Sequence, residues 1–235
     1  MDAFAAAFAA AGDLILSADA GLVEIIALSL EVSLIAVGLS ALIGMPLGGL
    51  IALATFPGRR AIIVVFNALM GLPPVVVGLV VYLLLSRSGP FGVLDLLFTP
   101  TAMIVAQVIL VLPIIVSLTR QILEFLWIDY RETLRSFGAT RIQCLATLLW
   151  DGRFMLVTAL LAGFGRAIAE VGAVMIVGGN IDHLTRVMTT AIALEASKGE
   201  LALALGLGLI LLAISLVLNV LAQSLRSLGE TWSLA

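Results

Sequence analysis

From Leu22 to Phe56 the chain carries only two charged residues, Glu24 and Glu31. A run this long and apolar constrains the fold more than any other feature. A soluble domain breaks its apolar stretches before about 18 residues, whereas a membrane-crossing helix needs about 20. Four further runs repeat the pattern: Ala61–Ser86, Thr99–Phe125, Phe154–Val177 and Leu201–Leu225. Inside a bilayer every backbone N–H and C=O must find its partner within the protein, so only helices and closed barrels span it. Barrel strands are short and alternate apolar with polar residues, and these runs do neither. The sequence therefore predicts an all-α integral membrane protein with about five transmembrane helices.

Composition agrees. The chain is 62% hydrophobic and 11% charged, with a mean hydropathy of +1.24. Soluble domains carry about 25% charged residues. The net charge of -3 argues against nucleic acid as a partner. Pro57-Gly58, the stretch SGPFG at 88–92 and Gly178-Gly179 end helical runs. Pro73-Pro74 falls mid-span and Pro113 lies inside the third run. The first nineteen or so residues hold Asp2, Asp13 and Asp19 and no basic residue. They lack the basic start of a cleaved signal peptide and are expected to remain as an extracytoplasmic lead-in over 1–22.

The basic residues set an expected orientation. Arg59, Arg60, Arg120, Arg131, Arg135, Arg141, Arg153 and Arg226 fall on one side, eight in all. Arg87, Arg186 and Lys198 fall on the other, and Arg166 sits within a span, which accounts for all 12. Basic loops stay in the cytoplasm. The N-terminus is expected outside, and both the C-terminus and the loop 127–153 inside. The outer loop after the fourth span places Val187, Ala191, Leu194 and Lys198 at helical spacing, which predicts a short helix on the membrane surface or against the bundle.

The loop 127–153 concentrates charge in a chain that has little. Residues 132–142 read ETLRSFGATRI. The stretch is helical in composition, and Gly138 permits a turn between two short pieces. Leu134 and Phe137, at i and i+3, share a face. Glu132 and Arg135 surround them, with Arg131. Such a small apolar knob with a charged rim suits a groove on another protein; a solvated helical loop is the alternative.

Within the spans, Arg166 and Glu170 are the most costly residues. Intramembrane ionisable groups face a bundle interior or a cavity. Their i, i+4 spacing places them on one helical face, either as a neutralised pair locking the fourth span to its neighbours or as lining of a pathway or gate. Asn67 and Gln107 are weaker candidates of the same kind, suited to bonds across helices. Pro73 and Pro74 remove backbone donors, so that a kink or unwound turn there borders a cavity or simply bends a packed helix. Gly44 and Gly48 form G-x-x-x-G, which allows close helix contact. Cys144, the sole cysteine, is read as an apolar filler, and His183, the sole histidine, as a solvated loop residue. The chain has no G-x-x-x-x-G-K-[ST], no H-E-x-x-H and no nucleophile paired with a base, so neither nucleotide hydrolysis nor intramembrane catalysis is expected of it.

Glu132-Thr133-Leu134, then three residues, then Gly138, resembles the E-A-A-x-x-x-G signature of permease subunits of ATP-binding-cassette (ABC) importers of the type I fold. Thr133 and Leu134 stand for the two alanines, and the family's later Leu-Pro is replaced at Leu148-Leu149-Trp150-Asp151. Residues 163–180, GFGRAIAEVGAVMIVGGN, and 185–199, TRVMTTAIALEASKG, look like the permeases of the tungstate, molybdate and sulfate oxyanion group, and most like those for tungstate.

The resemblance covers about residues 23–225. It implies a permease domain over 23–226 with a short cytoplasmic tail at 227–235, in the cytoplasmic membrane of a prokaryote. It implies coupling helices between the third and fourth spans, with Glu132, Leu134, Arg135, Phe137, Gly138 and Ala139 docking an ATPase. The implied partners are a second copy of the chain, two ATPase subunits and an extracytoplasmic oxyanion-binding protein. ATP and Mg would sit on the ATPase, and this chain would need no cofactor. The implied activity is import of an oxyanion, tungstate first, then molybdate, sulfate or another small solute, by alternating access. An ATP-independent carrier or channel is the rival, and such carriers often show inverted repeats, which this sequence lacks.

Overall fold

The computed structural model describes residue 12 and residues 20–233. Most of the expected lead-in, and residues 234–235 of the expected tail, fall outside this range. The described chain is helical, with α1 (Ala20–Leu53), α2 (Arg59–Leu69), α3 (Pro74–Leu85), a 3-10 turn at Gly92–Leu94, α4 (Pro100–Ser136), α5 (Arg141–Asp151), α6 (Arg153–Ile168), α7 (Gly172–Gly178), α8 (Met188–Lys198) and α9 (Leu201–Ser233). Three of these are long and apolar enough to cross a membrane, and up to five spans result if the bent pairs α2–α3 and α5–α6 each count as one. The chain is a multi-pass membrane protein.

The second expected span bends by 99° between α2 and α3. Pro73 is extended at φ -66°, ψ 120°, and Pro74 opens α3, where a missing N–H costs nothing. The third expected span, 99–125, is longer than the reading allowed. Helix α4 has 37 residues, about 55 Å at 1.5 Å per residue, against a hydrocarbon core of about 30 Å. Its charged end, 127–136, is therefore the continuation of a spanning helix and not a separate short one. The fourth expected span, Phe154–Val177, is not continuous: α6 stops at Ile168 and α7 begins at Gly172. Helix α8 matches the short helix expected in this loop, and it packs inward, with Met188, Thr189, Thr190, Ala191 and Glu195 buried.

The chain divides into two compact units. One contains the described residues up to Ile35, Pro73–Gln107 and Ala167–Val217. Here α3 lies on α7. A β-carbon on Gly78 would stand 2.8 Å from Ala173 Cα, and Val77, Val81, Ala173, Val174 and Val177 are buried. The Phe98 N–H donates to Val177 O at 2.9 Å, and the Met188 N–H donates to Ser29 Oγ at 2.7 Å.

The other unit contains Ala36–Leu72, Val108–Arg166 and the end of α9. Gly44 and Gly48 face α4, and a β-carbon on Gly44 would meet Ile115 Cγ2 at 3.0 Å. The G-x-x-x-G therefore does allow the close approach expected of it. Ala52, Leu123, Leu148 and Leu156 form a core below. Arg59 closes the end of α1: its Nε donates to Ile51 O at 2.7 Å and Nη2 to Ala52 O at 3.4 Å. These are carbonyls that the helix terminus leaves unpaired. The same guanidinium bonds Glu124, which also accepts from Arg120 Nη1 at 2.5 Å.

Candidate functional site

Two places hold the residues singled out from the sequence. The first is the hairpin joining α4 to α5. Helix α4 ends as a Schellman turn. The Gly138 N–H donates to Arg135 O and the Ala139 N–H to Leu134 O, both at 3.0 Å. Gly138 has φ +68°, and a β-carbon there meets nothing within 4 Å. Its requirement is backbone conformation and not space. Helix α5 then starts with a capping box. The Gln143 N–H donates to Thr140 Oγ1 at 3.4 Å, and the Thr140 N–H donates to Gln143 Oε1 at 2.8 Å.

The turn projects two apolar side chains. Phe137 is 82% exposed and Ile142 is 77% exposed. Glu132, Arg135 and Gly138 are exposed, and Ala139 is half-buried. Leu134 is also half-buried and thus less open than Phe137. Ile142, at the start of the next helix, is the second exposed apolar side chain beside the turn. The T-x-x-Q of Thr140–Gln143 was the signal that could have placed Ile142 at the start of a new helix. Cys144 is buried, in keeping with a filler. Arg135 lies 6.0 Å from the centre of the Trp127 ring.

The second place is the break between α6 and α7. Arg166 is half-buried in the last turn of α6. Glu170, 4% exposed, lies beyond the end of that helix. The helix ends between the two residues, so one continuous helical face no longer carries both. The Glu170 carboxylate also caps the next helix: Oε1 accepts from the Ala173 N–H at 3.0 Å. Its carbonyl accepts from Thr189 Oγ1 at 2.7 Å, and Gln107 Nε2 donates to Ala167 O at 3.0 Å. Side chains from α8 and α4 thus bond carbonyls at the break, where the Ala167 oxygen also accepts from the Glu170 N–H at 3.2 Å. Thr189 was missed because a threonine in the first turn of a short helix carries no sign of this role.

Helix α3 closes on the same place. A β-carbon on Gly172 would lie 2.8 Å from Val75 Cγ2 and 3.7 Å from Glu170 Oε1. The Pro73-Pro74 break therefore brings the first turn of α3 against the first turn of α7. Asn67 lies elsewhere, exposed on α2, a helix with no buried residue.

In the loop between α7 and α8, His183 is exposed, as expected of a loop residue, and adopts φ +56°. Its Nδ1 lies 2.7 Å from Glu24 Oε2, while Asp182 Oδ1 accepts from Arg186 Nη1 at 2.7 Å. The hydrogen bond to Glu24, with the carboxylate charges of Glu24 and Asp182, raises the His183 pKa above its ordinary 6.5. Among the described residues no group of three or more His, Cys, Asp or Glu side chains could hold a metal ion.

Residues 44–227 match the family described as binding-protein-dependent transport system inner membrane component. The chain is 46% identical over 210 residues to a probable anion ABC transporter permease protein of Haloferax volcanii, covering 87% of this chain and 90% of that one. It is 41% identical over 226 residues to a tungstate uptake system permease protein of Peptoclostridium acidaminophilum, covering 96% and 99%. A tungstate uptake system permease protein of Campylobacter jejuni is 37% identical over 171 residues, covering 73% and 72%. With its matched residues spanning most of the helical bundle, the chain belongs to the inner-membrane permease family of binding-protein-dependent ABC importers.

Proposed function

We propose that this chain is the membrane-spanning subunit through which an ABC importer carries tungstate into the cell. The observation that carries the reading is near end-to-end likeness to a tungstate uptake permease. Membership of the family implies an ATPase and a solute-binding protein as partners. The finer arrangement is a second copy of this chain, two ATPase subunits holding ATP and Mg, and an oxyanion-binding protein outside. Helix α2, which buries nothing of its own and exposes Asn67, supplies surface for the second copy. The chain itself carries no catalytic residue in this scheme.

The hairpin at Gly138 is the coupling element, on the cytoplasmic side with the basic residues. Phe137 and Ile142 enter a groove on the ATPase, and Glu132 and Arg135 orient them. Closure of the ATPase pair on ATP moves the hairpin. Differential affinity of the two conformations for ATP and for the loaded binding protein then drives alternating access. The polar break around Arg166, Glu170, Gln107 and Pro73-Pro74 borders the path.

The test is reconstitution of the permease with its ATPase and binding protein in vesicles, followed by solute uptake. ATP-dependent tungstate uptake that sulfate fails to match is expected. Phe137→Ala should reduce both ATPase co-purification and uptake, since buried interface anchors are worth about 2 kcal/mol or more. Uptake that proceeds fully without the ATPase would overturn the assignment. Preference for molybdate or sulfate would keep the class and change the cargo.

A further inference from the structure

Between α1, the start of α4, the α6–α7 break and α8 lies a small polar cavity within one unit. Ser29, Ser33, Gln107, Glu170 and Thr189 face it, beside Val32 and Val187. It has about 10 Å³ of room for the centre of a water molecule, the space of a single water.

One wall of this cavity carries an unmet demand. Gln107 is 4% exposed. Its amide orientation is fixed, because the NH2 donates to Ala167 O and a carbonyl cannot substitute there. Gln107 Oε1 therefore faces the other way and has no hydrogen-bond partner. Buried acceptors are rarely left so.

No neighbouring side chain fills the need. Ser29 Oγ donates to Ile25 O at 2.6 Å and accepts from the Met188 N–H at 2.7 Å. The Thr189 hydroxyl proton is committed to Glu170 O. Ser33 shares the lining without bonding Oε1. The lining is rich in acceptors and short of donors, and the ligand it calls for is small, neutral and able to donate twice.

We propose that this cavity binds one water molecule, which donates to Gln107 Oε1 and bridges to the hydroxyl and carboxylate oxygens opposite. The water completes the set of groups that hold the chain open between Ile168 and Gly172. Gln107 serves as a positioning residue with two roles: its NH2 ties down Ala167 O, and its Oε1 holds the water. A bound water also lets the break exchange partners without exposing a bare acceptor to a low-dielectric interior. The site stands on the geometry of the break and does not depend on which solute is carried.

The experiment is a structure of the nanodisc-embedded permease with its ATPase, at a resolution that shows ordered water. A single peak about 2.7–3.2 Å from Gln107 Oε1 is expected. Infrared difference spectra in H2(18)O should show a water band that shifts with the isotope. That band should be lost in Gln107→Leu and kept in Gln121→Leu, a change at an exposed position. No peak beside Oε1, or an amide bonded instead to protein, overturns the proposal, as does a water band unaltered in a folded Gln107→Leu. If Gln107→Leu does not fold, the wild-type density decides alone.

Discussion

A β-carbon on Gly48 would stand 2.6 Å from the carbonyl oxygen of Val116. Backbone meets backbone there, so neither a rotamer nor a flexible tip can yield. Gly48→Ala must push α1 from α4, and forced overpacking of this kind costs about 1–3 kcal/mol. Gly38, on the same helix, has nothing within 4 Å of the corresponding point. Gly38→Ala should be neutral or stabilising by up to about 1 kcal/mol, through helix propensity alone. Thermal unfolding of the two variants in one detergent should move in opposite directions. Equal shifts would mean that the G-x-x-x-G contact is not what holds these helices together.

The contrast between these two glycines shows which parts of the fold the sequence could reveal. The apolar runs and the α2–α3 break were legible, because apolar length and Pro73-Pro74 act locally. The G-x-x-x-G could be read as a close contact but not assigned a partner, since α4 lies about 70 residues on. The break after Ile168 was hidden. Nothing in GRAIAEVGAV forbids a helix, and the side chains that bond the Ala167 and Glu170 carbonyls at the break, Gln107 and Thr189, come from distant segments. At the hairpin, Gly138 marked the turn, but the exposure of Ile142 depended on where the next helix starts.

The hairpin turn should discriminate among side chains by conformation alone. At φ +68°, an L-residue pays about 1–2 kcal/mol, asparagine the least and a β-branched residue the most. Gly138→Val should lower ATP-dependent uptake and ATPase co-purification more than Gly138→Asn, at equal membrane level. Thr140→Ala, which removes the cap of α5, should cost about 1 kcal/mol and loosen the position of Ile142. Full association and uptake in both Gly138→Val and Phe137→Ala would remove the hairpin from the coupling role and favour an ATP-independent carrier.

Glu170 caps α7 through Oε1, and a glutamine keeps that oxygen. Glu170→Ala should therefore reduce the yield of folded protein and the unfolding temperature more than Glu170→Gln does. A cap of this kind is worth about 0.5–2 kcal/mol. If Glu170→Gln folds as wild type yet abolishes uptake, the carboxylate charge serves the transport path and not only the break. If both variants are equally unstable, the cap is not the dominant contribution of this residue.

His183 ties the loop between α7 and α8 to α1 through Glu24, and the contact should depend on pH. The other charged groups at this place are Asp182, 4.0 Å from His183 Nε2, and Arg186, which pairs with Asp182. The hydrogen bond to Glu24 raises the His183 pKa above 6.5, with Arg186 opposing the shift. A raised folded-state pKa means that the contribution of the contact is complete below pH 6.5 and is lost as pH climbs through the raised value. As the sole histidine, His183 can be followed by NMR without assignment ambiguity. Its titration midpoint should lie above 6.5 in the wild type and fall in Glu24→Gln, and loop mobility should rise with pH only when Glu24 is present. A midpoint that Glu24→Gln leaves unmoved would show that the loop is held by the Asp182–Arg186 pair and not by the histidine.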